Sequence, residues 1–268
     1  MRFLYGFPFA VMWLIAVSWV GGYDWPQLTT AFFLWTVIGA ASQIAGTALL
    51  LRVMQERSFA AGVGWSKTEV LQVAIFGIVL LGEPLGLAGV IGVLLATVGV
   101  LLLSTAGNQT ALQAVVSGWT SRAALLGVLS GAGFAMASVG YRAAALGLAP
   151  LPAPIAAAWT LAIALFLQIL MLGGWLLVRD LPVLVRTLKA WRASLLAGFM
   201  GAAASAGWFT ALAMAPVAPV RTLGLVELVF SYFVSQRIFR EKLGVAEKIG
   251  MALLALGLIG VLNMDHLW

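Results

Sequence analysis

The sequence predicts an all-α, polytopic membrane helix bundle of about nine transmembrane helices in two inverted-topology repeats, four helices followed by five. Three observations predict it. Of the 268 residues, 63% are hydrophobic and only 9% charged, whereas a soluble domain carries about 25% charged residues to cover its surface. The apolar residues fall into successive runs of about 20, the length that crosses a bilayer core as helix. One run and its flank, 82–99, recur in register at 240–257.

The runs are 3–20, 30–51, 59–81, 84–104, 122–143, 152–178, 193–213, 217–238 and 244–263. Short links carrying breakers separate them, as in GGYDWPQLTT (21–30), Gly82–Glu83–Pro84 and LAPLPAP (148–154). The first run follows Arg2 and contains Ala16–Val17–Ser18, a tripeptide of the kind a signal peptidase cuts. A single arginine makes a thin charged region, however, and the apolar stretch is long and contains Trp13, so it is read as a span. Pro8 predicts a kink in that helix, and Pro216 and Pro219 shape the start of the eighth.

A shift of 158 positions (241 − 83) lays GEPLGLAGVIGVLLATVG (82–99) on REKLGVAEKIGMALLALG (240–257). Glu83/Glu241, Leu85/Leu243, Gly86/Gly244, Ala88/Ala246, Ile91/Ile249, Gly92/Gly250, Leu95/Leu253 and Gly99/Gly257 coincide. Carried upstream, the register places Glu69 on Glu227 and pairs runs 3–20, 30–51 and 59–81 with 152–178, 193–213 and 217–238. Run 122–143 has no partner, so the first repeat (1–105) is expected to lack the opening helix that the second (120–264) has. An odd number of spans per repeat inverts one copy relative to the other.

The net charge of +6 is dispersed between the apolar runs, which excludes a nucleic-acid footprint and points to membrane orientation instead. Counting by alternate links puts twelve cations on one side and only Arg142 and Arg221 on the other, with Lys67 inside the membrane. This bias favours the first side as cytoplasmic and the C-terminus outside. There is no cysteine, so disulfides and thiolate chemistry are excluded.

Charges inside apolar runs are expensive and point to function. Glu69 and Glu227 are each the eleventh residue of their run, near the bilayer midplane. Helical spacing puts Trp65, Ser66, Gln72 and Val73 on the face of Glu69, and Phe230 and Ser231 on that of Glu227. The glutamates are candidates for a proton or cation site, or for a partner to a cationic solute, against a structural ion pair or buried acid. Lys67 points away from Glu69, which predicts a partner across the bundle, with Glu227 the best acid. It either neutralises a glutamate or binds an anionic group of the solute. Gln43, Gln168, Ser138, Tyr141, Ser205, Thr210, Tyr232 and Ser235 are weaker candidates, such groups serving more often as interhelical hydrogen bonds. Trp35, Trp159 and Trp208 can line a cavity or simply pack.

Gly82, Glu83 and Pro84 form a predicted hinge, with Glu241 its counterpart, and Gly92, Gly99, Gly250 and Gly257 are predicted close-packing positions, as are Gly127 and Gly131. Enzyme signatures fail: the single histidine, His266, lies beyond the last run, and no metal set, nucleophile elbow or phosphate loop occurs. Ser66 and Lys67 are adjacent on a helix and point apart. Neither a metal nor another cofactor is expected.

SKTEVLQVAIFGIVLLGEPLGLAGVIGVLLATVGVLLLS (66–104) resembles the closing helix pair of an EamA domain of the drug/metabolite transporter superfamily, with its Gly–Glu hinge and glycine-studded last helix. VELVFSYFVSQRIFREKLGVAEKIGMALLALGLIGVL (226–262) is similar to a second copy, departing at Arg240 where glycine is usual, and RFLYGFPFA (2–10) is similar to the start of that family's second helix. The resemblance covers nearly the whole chain. It implies a five-plus-five pattern of inverted halves around a central cavity, a cytoplasmic C-terminus, and secondary transport, mostly outward, of metabolites, amino acids or toxic solutes. The resulting expectation is a multi-pass transporter of the cell membrane, a probable exporter working by alternating access with midplane glutamates. Its partners are the lipid bilayer and a small-molecule solute, with room for proton or cation coupling and for a homodimer, and no nucleic acid. Alternatives are a non-transporting membrane subunit or scaffold that needs a partner to complete the bundle, or a channel.

Overall fold

The structure, a computed structural model, describes residues 2–23, 25–56, 59–104, 121–234 and 244–263. These hold twelve α-helices: α1 (Arg2–Gly21), α2 (Thr30–Val53), α3 (Phe59–Ser66), α4 (Glu69–Leu81), α5 (Leu87–Ser104), α6 (Arg122–Leu146), α7 (Ala153–Arg179), α8 (Leu181–Lys189), α9 (Trp191–Met214), α10 (Val217–Gly224), α11 (Val226–Val234) and α12 (Val245–Leu262). No strand occurs among the described residues. Among the described residues seven stretches are long and apolar enough to cross a membrane: Phe3–Gly21, Thr30–Val53, Gly62–Leu81, Arg122–Leu146, Ala153–Arg179, Ser194–Met214 and Val245–Leu262. Leu87–Leu103 is an apolar helix just short of that length.

Two expectations change here. Runs 59–81 and 217–238 are each read as one helix, yet each is interrupted, at Lys67–Thr68 and at Leu225. The link after 178 is not a loop but holds α8, whose nine residues fall below any span-length window. Pro8 lies inside α1 without ending it.

The helices form two compact units, each drawing on both halves of the sequence. The first comprises Met1–Ile44 and Ala137–Met214. In it α1, α7 and α9 pack on one another. Lipid gives no hydrophobic drive between helices, so close packing must hold them. A Cβ on Gly198 would lie 2.5 Å from the Tyr5 carbonyl oxygen, so only hydrogen lets α9 approach α1 this closely. Phe7 and Phe166 (6.0 Å between centroids) and Phe9 and Phe199 (5.2 Å) fill the space beside that contact. A second cluster joins Phe32, Ala144, Ala145, Leu148 and Ala156, with Trp35 and Trp159 packed against it.

The second unit comprises Ala45–Met136 and Ala215–Trp268. Its densest contact is between α5 and α12. A Cβ on Gly92 would sit 2.8 Å from the Gly257 oxygen, and one on Gly99 2.7 Å from the Gly250 oxygen. The helices therefore run antiparallel with backbones in direct contact. Gly82 ends α4 at φ +65°, a left-handed conformation that glycine adopts without a Cβ clash. Its N–H donates to the Ile78 oxygen and that of Glu83 to the Gly77 oxygen, closing the exposed carbonyls of α4.

Candidate functional site

The site lies in the second unit, where the two interrupted helices meet. The interruptions share one hydrogen-bond pattern. The Lys67 N–H donates to the Gly64 oxygen (3.0 Å) and the Val70 N–H to the Lys67 oxygen (3.5 Å). Likewise the Leu225 N–H donates to the Thr222 oxygen (3.0 Å) and the Leu228 N–H to the Leu225 oxygen (3.0 Å). Thr68 (φ −63°, ψ −6°) and Leu225 (φ −65°, ψ −12°) have the tight 3₁₀-like dihedrals that three-residue bonding requires. Gly64/Thr222, Lys67/Leu225 and Val70/Leu228 are each separated by 158 (for example 225 − 67), the shift that aligns the sequence repeat. Local side chains satisfy the first break: Ser66 Oγ donates to the Val63 oxygen and Thr68 Oγ1 to the Trp65 oxygen, each at 2.7 Å.

Each interruption is followed at once by an acid in the first turn, Glu69 in α4 and Glu227 in α11. The positive end of a helix dipole favours a carboxylate there. Glu69 pairs with the guanidinium of Arg221, which stands in the last turn of α10, where a cation is favoured in turn. Their side chains are 13% and 23% exposed, so the pair is largely desolvated. The pairing expected for Lys67, across the bundle with Glu227, is not seen, and the cation on Glu69 is Arg221. Among the described residues Lys67 forms no ion pair with Glu69 or Glu227, because it sits half-buried on the turn itself while Arg221 approaches from the neighbouring helix. Glu227 is exposed.

Two further members of the predicted strip flank the pair. Gln72 Nε2 donates to Thr68 Oγ1 (3.0 Å) and to the Val128 oxygen (3.3 Å). Its Oε1, and the indole Nε1 of Trp65, are buried with no hydrogen-bond partner among the described residues. An orphaned acceptor and an orphaned donor beside a desolvated ion pair are rare in a settled core and fit a place that receives a polar group. Gly127 and Gly131 of α6 lie against this junction: Cβ atoms there would meet Gly62 O at 2.1 Å and Ser66 O at 2.8 Å. On the far side Glu83 Oε2, at the hinge expected from the sequence, accepts the Val217 N–H (2.9 Å) and so caps the first turn of α10, and Pro84 follows it into the link before α5.

The remaining predicted residues lie elsewhere. Gln43 belongs to the first unit, where its Oε1 accepts from the Tyr141 hydroxyl (2.8 Å) and from Gln168 Nε2 (2.6 Å). Gln168 Nε2 also donates to the Tyr141 oxygen (3.1 Å). Arg142 and Arg221, counted as link cations in the sequence, both lie within helices. Arg142 is 8% exposed, and its Nη1 donates to the oxygens of Leu212 (2.9 Å) and Ala213 (3.3 Å) at the C-terminal end of α9. Arg221 is the partner of Glu69 that helical periodicity does not indicate. Its position inside run 217–238, five residues beyond Pro216, is the signal that a buried partner was needed. Ser231 falls in α11 with its side chain outside the described residues, as does that of Tyr232. Ser235, Arg240, Glu241 and His266 also lie outside the described residues.

No protein-family model matches the chain, and no curated protein matches it. Twelve solved chains match its structure. One, described only as the crystal structure of a protein, is 16% identical and superposes with a TM-score of 0.56, covering 98% of this chain and 98% of that one. At that identity the likeness is one of fold.

Proposed function

We propose that this chain is a multi-pass protein of the cell membrane and a secondary transporter of the EamA type, exporting a small metabolite, amino acid or toxic solute by alternating access. The observation that carries the reading is the pair of interrupted helices. They break at positions one repeat apart, each break is followed by a glutamate, and Glu69 is held by Arg221 beside polar atoms of Trp65 and Gln72 that have no partner among the described residues. Discontinuous helices near the midplane recur in secondary transporters because a broken turn frees helix ends to meet a solute or ion.

The inverted-repeat part of the proposal has its own support. Gly92 and Gly250 are repeat equivalents, as are Gly99 and Gly257. Gly92 meets Gly257 and Gly99 meets Gly250, a reciprocal antiparallel contact of the kind a two-fold relation between repeats generates. The same register is compatible with nine spans in the given sequence, four in the first repeat and five in the second. In this reading the Glu69–Arg221 pair keeps both charges neutralised while the site is empty. A solute carrying a charged or polar group exchanges with one of them, loosens α4 from α10 and completes the hydrogen bonds of Trp65 and Gln72. Lys67, with no ion pair among the described residues, biases the site toward an anionic group on that solute.

The test is flux in proteoliposomes enclosing a pH-sensitive dye, challenged with a panel of amino acids and organic ions, for wild type, Glu69→Gln and Glu227→Gln. Solute-driven proton or charge movement in wild type, lost in Glu69→Gln, is expected. Wild-type flux in both variants removes the glutamates from the mechanism.

A further inference from the structure

α8 separates apolar from basic residues by face. Leu181, Leu184, Val185 and Leu188 recur at helical spacing on one side, and Arg186 and Lys189 lie on the other. The Asp180 carboxylate caps its start by accepting the Val183 N–H (3.1 Å). The Tyr5 hydroxyl donates to the Thr187 oxygen (2.6 Å) and ties its end to α1. Leu181 is 50% and Leu188 52% exposed, while Arg179, Arg186, Lys189 and Arg192 are all exposed. Trp175 and Trp191 flank the helix, also exposed, as aromatic residues do at a membrane–water boundary. These features describe a helix lying in the interface.

Beneath it, within the same unit, is a cavity of about 240 Å³ lined by Phe3, Leu4, Leu172, Gly173, Leu176 and Leu184, among others, with Gln168 at one end. From Leu176 to Gln168 it follows α7 for eight positions (176 − 168), or about 12 Å at 1.5 Å per residue. That approaches half the hydrocarbon thickness of about 30 Å. The amide nitrogen of Gln168 is already engaged by Gln43 and Tyr141, so the lining offers a polar solute little. A single acyl chain hanging from a headgroup at α8 has the right length and polarity.

We infer that α8 and this cavity form a site for one anionic phospholipid, its acyl chain lying along α7 and its phosphate against Arg186 and Lys189. Arg179 and Arg192 add to the positive field, and the one acid of the segment, Asp180, is occupied in capping. Charge complementarity selects the anionic headgroup, since each cation near a membrane surface strengthens its attraction to acidic lipid. The site rests on the chain being a membrane protein and not on its being a transporter.

Native mass spectrometry of the detergent-purified full chain, titrated with phosphatidylglycerol or phosphatidylcholine of equal chain length, tests it. Wild type binds phosphatidylglycerol in preference. Arg186→Gln combined with Lys189→Gln, both on the exposed face, weakens that binding about thirtyfold, equivalent to ~1 kcal/mol per cation. Gly173→Leu fills the cavity, where a Cβ has open space, and weakens both lipids at least about tenfold. Equal affinity of wild type for the two lipids overturns the site, as does unchanged phosphatidylglycerol binding in the charge variant. Gly173→Leu that keeps wild-type binding overturns it too, because only surface charge then remains. None of these results bears on flux, so the transport reading is tested separately.

Discussion

Glu69, the first residue of α4, and Arg221, in the last turn of α10, form an ion pair that joins the second half of one interrupted helix to the first half of the other. Each charge sits at the helix end whose dipole favours it, so the pair is supported by backbone as well as by its partner. Removing either partner takes away the opposite charge that balances the other in a largely desolvated place, a loss of about 3 kcal/mol at the low end for buried pairs. Thermal melts of Glu69→Gln, Arg221→Gln and the double variant in detergent are expected to give a coupling of about 1–3 kcal/mol, the double variant being far less impaired than the sum of the singles. Additive losses would mean that the two side chains do not act on one another.

Gly257 should tolerate no side chain. A Cβ there would lie 2.5 Å from Ala96 N and 2.6 Å from Gly92 O, both backbone atoms that cannot swing aside. Gly257→Ala is expected to destabilise the α5–α12 contact by about 1–3 kcal/mol, whereas Gly86→Ala, where a Cβ meets nothing within 4 Å, changes the melting temperature little. Equal melting temperatures for the two variants would contradict the backbone contact.

Arg142 closes two carbonyls at the end of α9. Arg142→Met keeps volume but leaves those oxygens without this donor, and a cost of about 2 kcal/mol or more is expected. Hydrogen exchange read by mass spectrometry should show faster exchange confined first to the last turn of α9. Faster exchange at the start of α9 instead would point to some other role.

Tyr141→Phe deletes one donor to Gln43 and one acceptor for Gln168 while leaving the ring contact with Phe209 (4.4 Å). Interhelical hydrogen bonds in membranes average about 0.6 kcal/mol each. A loss near 1 kcal/mol in a denaturant or thermal titration is expected. A loss several times larger would show that the three side chains behave as one cooperative network.

What was legible in the sequence divides along physical lines. The strip of Trp65, Ser66, Glu69 and Gln72 could be drawn because these residues lie against α6 on both sides of the turn, Trp65 by Gly127 and the other three by Gly131. The turn itself was not legible: no proline marks either break, and an apolar run interrupted by a few three-residue hydrogen bonds keeps its hydropathy. The partners of Arg221 and Arg142 were not legible either, since only tertiary contact shows where a guanidinium ends. α8 was hidden by its length, nine residues against the twenty or so that signal a span. The Gln43–Tyr141–Gln168 cluster joins residues as far as 125 positions apart, a proximity that no local pattern encodes.

The central claim is that polar solute and water reach the space beside Glu69 and Arg221. Because the chain contains no cysteine, a single one can report on it without background. Gln72→Cys, compared with Val73→Cys at a fully buried neighbour, is treated with a membrane-impermeant charged thiol reagent in right-side-out and inside-out vesicles. The account predicts that position 72 reacts from both faces, many times faster than position 73, as the two halves alternate. If position 72 is as inert as position 73 from either face, the junction is sealed packing and the transport reading fails.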